Sequence, residues 1–186
     1  MISKRSNDDL KASRPTLEEV KFIPKVPIYF LLENIRSAHN VGSIFRTADG
    51  IGAKKIFLAG YTCKPDQKVL IKTALGSEKS VDWEHDEDSI RLANSIIDKK
   101  INLVLLEHTK SSKNLHNLKW DFPLCIVLGN EVDGVSEELI KLCKNHVEIP
   151  MNGIKQSLNV SVAAGIIGYE ILRCYNRYVN LRGKDL

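Results

Sequence analysis

The sequence predicts an α/β fold, an open parallel sheet with helices on both faces. Three observations carry this. The apolar runs IYFLL (28–32), LVLL (103–106) and CIVL (125–128) are continuous rather than alternating in polarity, as in strands buried on both sides. Segments with helical spacing separate them, giving the strand–helix alternation of a doubly wound sheet. A chain of 186 residues with 43% hydrophobic content can bury one good core and is short for two.

Residues 1–25 read as a polar arm with Pro15, Pro24 and one short helix over 16–21, opened by the capping box of Thr16 and Glu19. Residues 26–186 read as the single domain. It begins with a strand over 26–34, a helix over about 41–51 and a strand over 54–60. A helical turn around 66–75 and an extended piece over 80–85 follow, then a helix over 87–99 whose stripe is Ile90, Ala93, Ile96 and Ile97. Strands are expected at 101–108 and 124–130, with a loop carrying one helical turn between them. Ser136 is placed to cap a helix whose first turn holds Glu137 and Glu138, the sign favoured by the helix dipole. A short strand over 146–150 leads to a closing helix over 160–178.

The 27 basic and 23 acidic residues leave a charge of +4, which permits nucleic-acid binding without requiring it. Cys63, Cys125, Cys143 and Cys174 form no C-x-x-C pair, and Cys125 sits inside an apolar run. They read as reduced thiols, and with no signal-peptide core or membrane-length apolar run the protein is expected in the cytoplasm, away from membranes. The five histidines have no metal-ligand spacing, so no metal is expected.

Open α/β sheets bind ligands outside the carboxyl ends of their strands, which selects the loops ENIRSAHN, LEHTK, GNEVDG and MNGIKQSLN. The first leads into Asn40, Gly42 and Arg46, with His39 a possible site residue. Arg46, between Phe45 and Ala48, reads as half-buried, and a guanidinium there needs a carboxylate or phosphate. In GNEVDG, Gly129 lets a ligand approach the backbone, and the acids Glu131 and Asp133 suit a ligand with hydroxyl, amine or cationic groups rather than a phosphate. The plainer reading makes Gly129 a tight turn and Glu131 an ion-pair partner. The stretch Ile149–Gly165 spends Gln156, Ser157 and Asn159 at the start of an apolar helix. A helix cap, Ser157 or Asn159, explains one of the three. A serine nucleophile fits poorly, because no base and orienting partner lie nearby.

Taken in order, N-x-G-x-x-x-R-x-A (Asn40 to Ala48), L-G-N-E-x-x-G-V-S (Leu128 to Ser136) and I-P-M-x-G-x-x-x-S-L-N-V-S-V-A-A-G (Ile149 to Gly165) resemble the three motifs of SpoU/TrmH-type RNA ribose 2′-O-methyltransferases. The resemblance covers about 26–178. It implies the SPOUT α/β fold with a C-terminal trefoil knot, S-adenosylmethionine bound by the knot loops, and a homodimer. Arg46, Asn40, Glu131, Ser157 and Asn159 match the motifs' polar positions and are the expected catalytic group. Leu106, Gly129, Asn130, Ile149, Met151 and Leu158 are the expected cofactor-binding group.

The implied substrate is RNA, with tRNA favoured over rRNA because the chain shows no separate RNA-binding domain. A non-catalytic assembly factor that binds S-adenosylmethionine and RNA is the alternative outside enzymes, and the presence of all five polar residues argues against it. Substrate selection would fall to the arm and to Arg173, Arg177, Arg182 and Lys184. The small residues Ala163, Ala164, Gly165 and Gly168 permit a close helix approach, either at a dimer interface or knot or inside one subunit.

Overall fold

The computed structural model describes residues 4–182. Its centre is a seven-stranded sheet: β1 (Val26–Glu33), β2 (Ala53–Ala59), β3 (Asp82–Asp86), β4 (Asn102–Leu106), β5 (Lys113–Asn114), β6 (Leu124–Leu128) and β7 (Asn145–Glu148). All pairings are parallel, in the order β3-β2-β1-β6-β4-β7-β5. The helices are α1 (Asn7–Ala12), α2 (Leu17–Val20), α3 (Ala38–Gly50), α4 (Lys68–Ala74), α5 (Ser77–Ser80), α6 (Ser89–Asp98), α7 (Glu137–Leu142) and α8 (Val160–Arg182).

The continuous apolar strands are buried on both sides. In β1, Ile28, Phe30 and Leu32 join the core under α3 and α8, while Tyr29 and Leu31 join the core under α6 and α7. Burial of this kind stabilises by roughly 1.5–3 kcal/mol for each large aliphatic or aromatic side chain. β1 runs out to β2 and β3 on one side, and the chain then crosses to β4 on the other, with β6 between β1 and β4. That reversal puts a crevice at the carboxyl ends of β4, β6 and β7.

Several elements differ from expectation. The arm holds two helices, because Ser6 and Asp9 form a capping box like that of Thr16 and Glu19. Lys113–Asn114 pairs with Val147 and Glu148 as a short edge strand before the expected helical turn. α8 reaches Arg182, four residues beyond the expected end. Ser136 stands at the N-cap position of α7 but makes no side-chain capping bond, because its hydroxyl is spent elsewhere.

Of the small residues of α8, Ala164 and Gly168 serve packing within the chain. Ala164 is fully buried, and a Cβ on Gly168 would meet Phe30 at 3.3 Å and Ile51 at 3.2 Å. Gly42 acts similarly on α3, where a Cβ would lie 2.8 Å from the Leu70 carbonyl of α4. His39 ties the same two helices together through Nδ1, 3.0 Å from Thr73 Oγ1.

All four cysteines are free thiols, three of them buried. Among the described residues, no group of acids, cysteines and histidines is placed to hold a metal, and no helix is long and apolar enough to cross a membrane.

Candidate active site

A cleft of about 900 Å³ opens at the carboxyl edge, between the loops that follow β4, β6 and β7. Leu106, Gly129, Asn130, Ile149, Met151 and Leu158 all lie on its wall. Glu131, Ser157 and Asn159 line it as well, and Glu107 and Glu148 add two further carboxylates that sequence reasoning missed. Asn40 and Arg46 are not part of the wall.

Asn40 is nevertheless joined to the cleft. Its side-chain Nδ2 donates to Glu131 Oε1 at 2.6 Å, and its Oδ1 accepts from Asn159 Nδ2 at 3.1 Å. The first turn of α3 and two loops, at positions 91 and 119 residues from Asn40, thus form one chain of hydrogen bonds. Asn159 also caps α8, since its Oδ1 accepts from the backbone N–H of Ser161 at 2.9 Å and of Val162 at 3.4 Å. The cap is therefore Asn159 rather than Ser157. Ser157 is exposed on the cleft and makes no side-chain hydrogen bond among the described residues.

Arg46 departs from its expected setting. Phe45 and Ala48 are fully buried, but Arg46 is exposed and has no ion pair among the described residues. Consecutive helical positions point about 100° apart, so an arginine between core residues can face solvent while they pack.

The loop over 129–136 is held from below. Asn130 is buried with its amide fully used: Oδ1 accepts from the N–H of Val132 (2.7 Å) and Asp133 (3.2 Å), and Nδ2 donates to the Asn34 carbonyl (2.9 Å) and Tyr61 Oη (3.0 Å). Its main chain is engaged too, the N–H donating to the Gly134 carbonyl at 3.1 Å and the carbonyl accepting from the Gly134 N–H at 2.9 Å. Gly129 has a structural reason to be glycine, because a Cβ would sit 2.3–2.4 Å from backbone atoms of Gly134 and Val135 where the loop closes on itself.

Glu33, at 2% exposure, anchors the far side, accepting from the Ser136 N–H and hydroxyl, each at 2.8 Å. Burial, assisted by the charge of Glu33, pushes the nearby Cys143 thiol up to about 12. The signal for Glu33 was in the sequence: a carboxylate ending a strand buried on both faces must have dedicated partners.

Among the C-terminal basic residues, Arg173 is engaged by Glu170 through two bonds of 2.9 and 2.6 Å, which lower the Glu170 carboxyl and raise the guanidinium. Its charge is neutralised within α8 and it is a poor candidate for RNA contact. Arg177 is exposed. The Arg182 side chain and Lys184 lie outside the described residues.

Residues 27–169 match the model of the SpoU rRNA Methylase family. The chain is 33% identical over 143 residues to a tRNA (guanosine(18)-2'-O)-methyltransferase of Aquifex aeolicus, an overlap of 76% of this chain and 66% of that protein's length. Among solved structures, a TrmH/SpoU tRNA modifying enzyme of A. aeolicus superposes with a TM-score of 0.78 at 28% identity, over 87% of this chain and 83% of that one. The SpoU methyltransferase AviRb of Streptomyces viridochromogenes, solved with the cofactor AdoMet, gives a TM-score of 0.74 at 26% identity, over 85% and 64% of the two chains.

Proposed function

The chain belongs to the SpoU rRNA Methylase family, and from that premise we propose that it methylates a ribose 2′-hydroxyl of RNA using S-adenosylmethionine. The hydrogen-bonded chain Glu131–Asn40–Asn159 at the mouth of the cleft carries this reading. The residues present fit the cofactor. Aliphatic Leu106, Ile149, Met151 and Leu158 can sandwich an adenine, main-chain groups of the three loops can read its edge, and Glu107, Glu131 and Glu148 favour a ligand bearing ammonium and sulfonium charge. S-adenosylmethionine, when bound, supplies the electrophilic methyl group.

The protein's tasks are alignment and proton removal at the ribose 2′-oxygen. A positioned base contributes about 10²–10⁴ in rate, the remainder coming from alignment. Ser157 is placed to orient the ribose by its hydroxyl. Asn40 and Asn159 hold Glu131 in one orientation at the cleft. Arg46 is the family's candidate for the proton step, but a guanidinium with a pKa above about 12 makes a poor base. Its exposed fork, without an ion pair among the described residues, suits a phosphate clamp on the neighbouring nucleotide, stabilising charge as it develops and leaving the proton to a phosphate oxygen.

The finer architecture belongs to the same proposal. Residues 26–186 form the methyltransferase domain and 1–25 the arm. The insertion of β6 between β1 and β4, with the cleft loops beyond it, supports a C-terminal trefoil knot. Val162, Ile166 and Tyr169 are 50%, 39% and 55% exposed along one side of α8, an apolar stripe that supports homodimerisation. In such a dimer, Arg46 of one subunit would complete the cleft of the other. The setting is the cytoplasm, and the substrate is tRNA in preference to rRNA.

Calorimetric titration with S-adenosylmethionine, followed by transfer of labelled methyl to bulk tRNA and rRNA with mapping of the modified ribose, tests the reading. Absence of cofactor binding would overturn it. Binding without transfer to either RNA would favour the assembly-factor alternative.

A further inference from the structure

A second concavity lies at the opposite, amino-terminal edge of the sheet. It encloses about 720 Å³ and is lined where β1, β2, β3, β4 and β6 begin. Strands of five to eight residues at ~3.3 Å each put it roughly 17–26 Å from the cleft. One wall is basic: Lys54, Lys55 and Lys99 stand against the single carboxylate Asp82. Lys55 is committed, its Nζ 3.0 Å from Glu84 and over the Phe57 ring. Lys54 and Lys99 are exposed and without an ion pair among the described residues. The other wall is aromatic. Phe122 and Tyr175 meet edge to face at 5.0 Å, and Tyr178 lies 6.1 Å from Phe122 with 41% of its surface exposed. The stacked pair Tyr29 and Phe57 forms the floor.

Lysines facing an aromatic wall match what an unpaired nucleic-acid strand requires, cations for the phosphates and ring faces for the bases. A buried apolar ligand would not need the lysines, and a compact anion would not need three aromatics. We propose that this groove binds a single-stranded segment of the substrate RNA, away from the nucleotide that is methylated. The proposal rests on the reading of the protein as an RNA methyltransferase, and it gives this domain a second point of grip on the RNA. Lys54 and Lys99 hold successive phosphates, and Tyr178 offers a stacking face.

The test uses fluorescence anisotropy of a labelled ten-nucleotide oligouridylate with the full chain. Replacing Lys54→Gln and Lys99→Gln together should weaken binding and reduce the slope of log Kd against log salt by about 1.4, near 0.7 per phosphate contact on a single strand. Tyr178→Ala should weaken binding about fivefold or more while leaving the salt slope unchanged. The pair Lys141→Gln and Lys144→Gln removes the same charge elsewhere and should have little effect. Oligonucleotide binding by both groove variants equal to that of the unaltered chain overturns the proposal, as does an equal loss from the control pair. Cofactor titration and methyl transfer, run on the same unaltered protein, separate the two ideas. Failure there strikes the methyltransferase reading and leaves a groove-dependent oligonucleotide result standing, whereas normal methyl transfer with unaffected groove variants strikes the groove alone.

Discussion

Asn40 holds the Glu131 carboxylate by a 2.6 Å bond from its side-chain amide, joining the start of α3 to the loop after β6. Neither residue has a nearer route to the other, since 91 positions separate them. Asn40→Ala removes both ends of this link and frees Glu131 to rotate. We expect the single-turnover methyl-transfer rate to fall about 10²-fold, the usual cost of misplacing a reacting group by an ångström, with cofactor affinity within about twofold of normal. A normal rate would remove this contact from the mechanism.

Gly129→Ala should be the most damaging small substitution in the cleft. The added methyl meets backbone carbon, oxygen and nitrogen at 2.3–2.4 Å, atoms that cannot move without opening the loop. We expect a loss of about 1–3 kcal/mol in chemical denaturation, with cofactor binding lost in calorimetry. Binding at normal affinity would show that the loop reshapes freely.

Arg46→Lys keeps the charge but not the planar fork. If Arg46 clamps a phosphate in bidentate fashion, single-turnover rates should fall at least about tenfold, the equivalent of one good charge-assisted hydrogen bond. Arg46→Ala and Asn159→Ala chains, each inactive alone, should regain activity when mixed and allowed to exchange subunits. No recovery, or a monomer by light scattering, would contradict the shared site.

Ser136→Ala leaves the buried Glu33 carboxylate with one of its two hydrogen bonds. The expected cost is about 1–3 kcal/mol, read by urea denaturation, because a charge at 2% exposure cannot turn to water instead. Ser136→Thr, which keeps the hydroxyl, should recover most of it.

The thiols give a pH prediction. Burial raises Cys125 well above its ordinary value and, with Glu33 beside it, takes Cys143 from 9.0 to about 12. Below pH ~9 the thiols are neutral in both folded and unfolded chains and stability does not depend on them. From about 9 to 12 the unfolded chain ionises them first, so stability should fall as pH rises, by about 1.4 kcal/mol per pH unit for each fully protected thiol. Denaturation at pH 8, 9 and 10 checks the slope, and at pH 8 a thiol reagent should modify both residues slowly until the chain unfolds.

Much of this molecule is legible in its residue pattern. Strands β1, β4 and β6 announce themselves because burial on both faces removes every polar residue from their middles, and α6 because its stripe follows helical spacing. The order of strands does not, since periodicity says which faces are buried and nothing about neighbours. The cleft wall could be named from motif resemblance, but the reasons for its residues could not. Gly129 is glycine to let a loop close on itself, Asn130 ties that loop through its amide to Asn34 and Tyr61, and Gly42 lets α3 approach α4. Each reason depends on atoms far away along the chain. Arg46 faces solvent beside the buried Phe45 and Ala48, because neighbours in sequence are not neighbours around a helix.

Asn159 illustrates how two ordinary demands can leave one choice. Side chains that close a helix start well are serine, threonine, aspartate and asparagine, all able to accept from the first free N–H groups. Side chains that can accept there and also hand an amide proton to Asn40 Oδ1 at 3.1 Å are fewer. Aspartate has no proton to give, and the hydroxyl residues are too short to face both ways. Asparagine alone stands in both sets, so position 159 is determined by their overlap. The first turn of α8 and the hydrogen-bonded chain at the cleft are therefore a single unit, set in place by one amide.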